Sequence, residues 1–194
     1  GTTTYYVGNW FEVTNSGAIT KYYYFGAQRV AMKQGSTVTY LHGDHLGSTS
    51  VASDSSGAWI SRQTYYAFGV PRTTDGTLPT DYTFTGQKAD TSDGLMYYGA
   101  RYYDATLGRF TQPDTIIPDQ FNPQSLNRYT YVKNNPVRYT DPTGHMELMD
   151  YEPDTLSEDS LPAQQAPDFT YDPAIEDALA KLASSATAQG YIDY

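Results

Sequence analysis

Short runs of aromatic and β-branched residues recur along the chain, separated by polar turns that contain glycine. The runs 21–25, 29–32, 37–41, 49–52, 59–66 and 82–85 have the length and composition of strands. Between them, turn glycines recur at Gly17, Gly35, Gly57, Gly76 and Gly94, spaced 18, 22, 19 and 18 residues apart. Ser-Gly and Asp-Gly pairs supply the positive φ of tight hairpins, and such hairpins between short strands give a beat of about twenty residues. The segment SGAITKYYYFG at 16–26 is echoed by SGAWISRQTYYAFG at 56–69, an offset of two beats. The pattern predicts an all-β chain of antiparallel hairpins, with helix signal nearly absent before Asn122.

A sheet that grows by repetition buries its core only where neighbours stack on both sides, so a short piece has a raw edge. The opening GTTTYYVGNW reads as the middle of a strand, and the expectation is that the chain is the C-terminal part of something longer. The 20 tyrosines suit strand faces covered in rings, with hydroxyls reaching the rim or water. Packing of those rings against the next repeat competes with carbohydrate stacking, and packing is the simpler reading.

Composition changes after Gly144. Residues 146–167 are rich in Asp, Glu, Pro, Ser and Gln and read as a linker too polar to form a core. A helix is expected over 173–188, capped by Asp172, with Ile175, Ala178, Leu179, Leu182 and Ala186 on one face and Gly190 past its end. The net charge of −10 lies wholly in this tail, since the acids and bases of residues 1–145 balance. That distribution has no basic footprint for nucleic acid. Cysteine is absent, which rules out disulfides and thiolate metal sites. No apolar stretch approaches the ~18 residues of a membrane span.

Across 94–144 the order of motifs is distinctive: Tyr97-Tyr98-Gly99-Ala100-Arg101-Tyr102-Tyr103-Asp104, Leu107-Gly108-Arg109-Phe110, Gln112-Pro113-Asp114, Leu126-Asn127-Arg128-Tyr129, Asn134-Asn135-Pro136 and Asp141-Pro142-Thr143-Gly144. This stretch resembles the Rhs repeat-associated core, the C-terminal cap of Rhs/YD-repeat proteins. Upstream, Gly43-Asp44-His45-Leu46-Gly47-Ser48 and Thr64-Tyr65-Tyr66-Ala67-Phe68-Gly69 look like the YD-repeat segment that precedes it. The resemblance implies YD-repeat hairpins over 1–93, a core plug over 94–145 and a variable extension over 146–194. It implies a fragment of a spiralling β-shell, closed by the plug, with a largely disordered tail bearing one short helix.

In toxin members of that family two core aspartates act as an aspartyl-protease-like pair that cuts after the DPxG motif. Carried over by motif, the pair is Asp114 and Asp141, and the cut follows the residue after Gly144, between His145 and Met146. Arg109, or Arg138, would tune the pair or steady the oxyanion. Two carboxylates sharing a water and a proton is the chemistry such a pair needs. The family's first motif is usually also DPxG, whereas Asp114 is followed by Thr115, Ile116 and Ile117. The resemblance implies the chain's own C-terminal segment as cargo, with an upstream shell, a secretion apparatus or an immunity protein as partners, a secreted or cell-surface location and no cofactor. The alternative is a non-catalytic surface repeat protein or a truncated relic, in which Pro113-Asp114 and Asp141-Pro142 only make turns. His42, Asp44 and His45 could hold a metal but sit where a hairpin bends, which favours a structural role.

Overall fold

Buried and more exposed side chains alternate over 19–23 and 39–42, as strands with one covered face require. The computed structural model describes residue 1 and residues 3–115, 121, 123–145 and 148–149. The linker expected over 146–167, apart from 148–149, and the helix expected over 173–188 lie outside these residues.

Eight strands come first: β1 Thr4–Val7, β2 Phe11–Thr14, β3 Ile19–Phe25, β4 Gln28–Gln34, β5 Thr37–Gly43, β6 Thr49–Ser53, β7 Trp59–Tyr65 and β8 Pro71–Asp75. Among the described residues, one compact unit holds those of 1–23 and 32–37, and a second holds those of 24–31, 38–145 and 148–149. Within each unit, strands that follow one another in the chain are hydrogen-bonded neighbours. In the first, β2 pairs antiparallel with β1 (Tyr5↔Val13) and with β3 (Phe11↔Lys21). Thr20 and Tyr22 of β3 are buried on one face, and the Lys21 ammonium on the other lies 5.7 Å from the centre of the Phe11 ring.

In the second unit β5 to β8 continue the antiparallel hairpins. Each of the five turn glycines named from sequence has a positive φ, and Gly8, Gly26, Gly47 and Gly69 do the same at the intervening turns. One beat of the sequence is therefore two strands and two turns. Asp54 shows how a turn is built: its Oδ1 accepts from the backbone N–H of Ser56 at 2.8 Å and of Ala58 at 3.0 Å. The side chains of β8 are exposed throughout, and its Pro71, which lacks an N–H, starts an edge strand.

The expected strand over 82–85 is instead a reversal. Tyr82 makes one bridge to Lys88, and Phe84–Gly86 form a single 3-10 turn because Thr85 (φ +49°) and Gly86 (φ +70°) turn the chain back. Beyond it a four-stranded sheet runs in the order β12-β11-β10-β9, from β9 Lys88–Ala89, β10 Met96–Tyr97, β11 Tyr102–Asp104 and β12 Arg109–Phe110. This sheet thus draws in residues before Gly94. Last come β13 Tyr139–Thr140 and β14 Leu148–Met149, paired antiparallel. β14 lies inside the segment read as linker, because the turn after Asp141 sends the chain back beside β13.

Phe84, Met96, Tyr98, Tyr103, Phe110, Tyr131 and Val132 form the buried cluster of the second unit. Tyr98 meets Phe110 edge-to-face at 5.6 Å and 89°, and Tyr131 at 5.6 Å and 75°. Such ring pairs add about 0.5–1.5 kcal/mol each beyond area burial. The cluster's hydroxyls do not reach water as expected: Tyr103 donates to Phe68 O at 2.9 Å, and Tyr98 shares a 2.9 Å hydrogen bond with Thr85 Oγ1. Full burial of a phenol without such a partner would cost several times what the bond returns.

Candidate active site

Arg101 precedes β11 between two tyrosine pairs, and its guanidinium leaves water by stacking 3.6 Å from the centre of the Phe110 ring. Its donors reach four groups. Nε donates to Gly144 O, and Nη1 donates to Arg128 O at 3.0 Å. Nη2 lies 2.9 Å from Asp114 Oδ2 and 3.4 Å from Asp141 Oδ2. Arg101 is 5% exposed, Asp114 5% and Asp141 3%, so all three charges are inside the protein. Burial pulls the guanidinium pKa below its ordinary value, and the two carboxylates act in the opposite direction. A buried charge triad of this kind holds only where hydrogen bonds satisfy it, as they do here.

Asp141 opens the turn that the Asp-Pro-Thr-Gly motif encodes. Its Oδ1 accepts from the N–H of Gly144 at 2.8 Å, His145 at 3.1 Å and Thr143 at 3.2 Å. The turn docks on the Tyr98–Arg101 bend, where Ala100 N–H donates to Thr143 O at 3.1 Å. Gly144 has φ +77°, and a Cβ there would come within 2.7 Å of Tyr98 O. The opposing Gly99 has φ +84° and would carry a Cβ 3.2 Å from Thr143 O. Each motif's glycine is what lets the other motif approach.

Asp114 is placed differently. Its N–H donates to Arg128 O at 2.9 Å, and Arg128 Nε donates back to Asp114 O. This pairing continues the Phe110–Tyr129 contact, in which the Phe110 N–H donates to Tyr129 O at 3.0 Å. Backbone pairing therefore positions Asp114 without the Pro and Gly that the family's first motif would supply. Asp114 Oδ1 lies 2.8 Å from Nδ1 of His145.

The two candidate aspartates thus come together, and so do Gly144 and His145; Met146 lies outside the described residues. The two carboxylate oxygens on Arg101 Nη2 are no further apart than those two contacts combined, within the ~7 Å at which such groups couple. A guanidinium nitrogen bridges them. Arg109 is not that guanidinium: it is exposed on β12 opposite Asp104, and Arg138 is exposed with its guanidinium 5.7 Å from the centre of the Tyr139 ring. Arg101 lies within the Tyr97–Asp104 motif, where the resemblance assigns it no role. The available signal was an arginine set inside a run of tyrosines, where a charge must find partners. His42 Nε2 shares a 2.8 Å hydrogen bond with Ser53 Oγ, and His45 Nε2 lies 3.3 Å from Val137 O. Among the described residues no three His, Cys, Asp or Glu side chains are placed to hold a metal ion.

Several known proteins share this architecture. Over 140 residues the chain is 31% identical to the tRNA3(Ser)-specific nuclease WapA of Bacillus spizizenii, covering 70% of this chain and 6% of that protein. Over 113 residues it is 32% identical to toxin subunit YenC1 of Yersinia entomophaga, covering 54% of this chain and 11% of that one. The crystal structure of TcdB2-TccC3 superposes with a TM-score of 0.62 at 25% identity, over 74% of this chain and 8% of that one. The chain therefore spans only a small part of the length of the relatives it matches. Residues 13–137 match the teneurin YD-shell family, and with it the chain belongs among the Rhs/YD-repeat proteins.

Proposed function

We propose that this chain is the closing end of a toxin-type YD-repeat shell, and that it cuts itself between His145 and Met146 to free the segment that follows. The observation that carries the reading is the meeting of Asp114 and Asp141 on one buried nitrogen of Arg101, beside the turn that presents the bond. Asp141 binds three backbone N–H groups and holds the 143–145 segment in place. Asp114, with one oxygen turned toward His145, is the base. It takes a proton from water as the water oxygen bonds to the His145 carbonyl carbon. Arg101 steadies both carboxylates, and as the C–N bond breaks the proton held by Asp114 passes to the Met146 nitrogen, which restores the base. The products are a His145 carboxylate and a Met146 amine. Because the bond belongs to the same chain, its orientation is supplied by the fold.

The nuclease and toxin names of the relatives support a role in delivering a C-terminal effector, with export to the cell surface or beyond. The shell upstream, the secretion apparatus and an immunity protein are the partner classes that this role calls for. The test is direct. Purified wild-type chain should run as two fragments with a new terminus at Met146, and Asp114→Asn and Asp141→Asn should each stay whole. A wild-type chain that remains intact on long incubation across several pH values overturns the reading.

A further inference from the structure

His145 sits at the proposed cut and also touches the proposed base. Its Nδ1 is 2.8 Å from Asp114 Oδ1, while Asp114 Oδ2 is held by Arg101 Nη2 at 2.9 Å. Each oxygen of the base thus already carries one close contact, which an arriving water has to share or displace. Asp141 is engaged in the same way, with Oδ1 on three backbone N–H groups and Oδ2 on Arg101. A nucleophilic water has to donate a hydrogen bond to a carboxylate oxygen to be activated. Of the groups on Asp114, Arg101 is fixed by the Phe110 ring and by three other partners. The His145 side chain is 32% exposed and can turn outward.

We infer that the His145 ring is a latch: it holds the water's place on Asp114, and each cut waits for the ring to swing away. The inference rests on the self-cleavage reading. Against an ionised carboxylate the ring nitrogen must be the donor, which makes the contact a charge-assisted hydrogen bond. The same residue supplies the scissile carbonyl, so the latch also keeps that carbonyl beside the base until release. His145 is thus a positioning residue whose identity sets how fast the C-terminal segment is freed.

The experiment follows fragment formation by wild type, His145→Ala and His145→Asn full-length chains under one set of conditions. His145→Ala removes the donor and should cut about tenfold faster, the worth of one such hydrogen bond. His145→Asn, whose side-chain N–H reaches the same oxygen, should bring the rate back toward wild type. Damage to a merely structural contact would slow the cut, so the direction of the change is diagnostic. Equal or slower cutting by His145→Ala, or His145→Asn behaving like His145→Ala, overturns the latch and leaves self-cleavage standing. No cutting in any of the three chains overturns both.

Discussion

Asp114 and Asp141 lie 2.9 Å and 3.4 Å from the same nitrogen of Arg101, although 27 residues separate them in the chain. One guanidinium thus answers two buried carboxyl groups beside the bond proposed for cleavage. Like charges this close repel strongly in a low dielectric, and Arg101 is what makes their meeting tolerable.

Replacement of Arg101 by Met should therefore cost about 3–5 kcal/mol, since it leaves two uncompensated carboxylates inside the protein. Urea unfolding measures this, and adding Asp114→Asn and Asp141→Asn to the Arg101→Met chain should restore a large part of the loss. If the triple variant is no more stable than Arg101→Met alone, the three side chains are not energetically coupled.

Gly144→Ala tests the contact between the two motifs. The added methyl would meet Tyr98 O at 2.7 Å in a left-handed backbone conformation. The expected cost is about 1–3 kcal/mol, with fragment formation slowed because Asp141 loses its seat on the turn. Gly17→Ala is the control: its φ of +82° is similar, but nothing lies within 4 Å of its Cβ. It should cost about 1 kcal/mol and leave cutting alone. Equal effects at both positions would show that the Tyr98 contact is slack.

Buried tyrosines make the fold sensitive to alkali. Burial raises the phenols of Tyr98 and Tyr103 well above their ordinary value and that of Tyr131 to about 12. A raised folded-state value means the stabilisation is complete below the unfolded value near 10 and is lost as pH rises through the folded value. In that window each such tyrosine should lower stability by about 1.4 kcal/mol per pH unit. Unfolding midpoints measured from pH ~9 to ~12 should fall, and Tyr131→Phe should flatten the slope. A midpoint independent of pH there would mean these phenols ionise in place.

The parts of the fold legible in sequence are those encoded by neighbours along the chain. Asp54 with Ser55-Ser56-Gly57 builds its turn from its own backbone, so the turn reads locally. Tyr82-Thr83-Phe84-Thr85 has strand composition but turns back at Thr85, where Phe84 joins the aromatic cluster and tertiary packing overrides propensity. β8 was missed because its exposed Pro-Arg-Thr-Thr-Asp carries no apolar pattern and is defined by its ladder with β7 alone. In the site, Asp114 and Asp141 are named by the family resemblance alone, and the fold brings both to one nitrogen of Arg101. The choice of Arg101 over Arg109 is not readable in sequence, since both have aromatic neighbours. Only the fold turns one toward Gly144 and leaves the other exposed.

Strain beside the site offers the last test. Val132, Lys133 and Asn134 follow one another at φ of +40°, +51° and +60°, three consecutive left-handed residues without a glycine. The turn is held by Asn134 N–H donating to Tyr131 O and Asn135 N–H to Val132 O, both at 2.9 Å. It delivers Tyr131 into the cluster, with Val132 buried behind it. A side chain in this conformation costs roughly 1–2 kcal/mol that glycine avoids, offset in part by glycine's freedom in the unfolded chain. Lys133 is only half-buried, so Lys133→Gly should raise stability by about 0.5–1 kcal/mol, read as a higher unfolding midpoint. Val132→Gly should lower it despite the same relief, because a buried apolar side chain is lost. If Lys133→Gly destabilises instead, the Lys133 side chain rather than the backbone governs this turn.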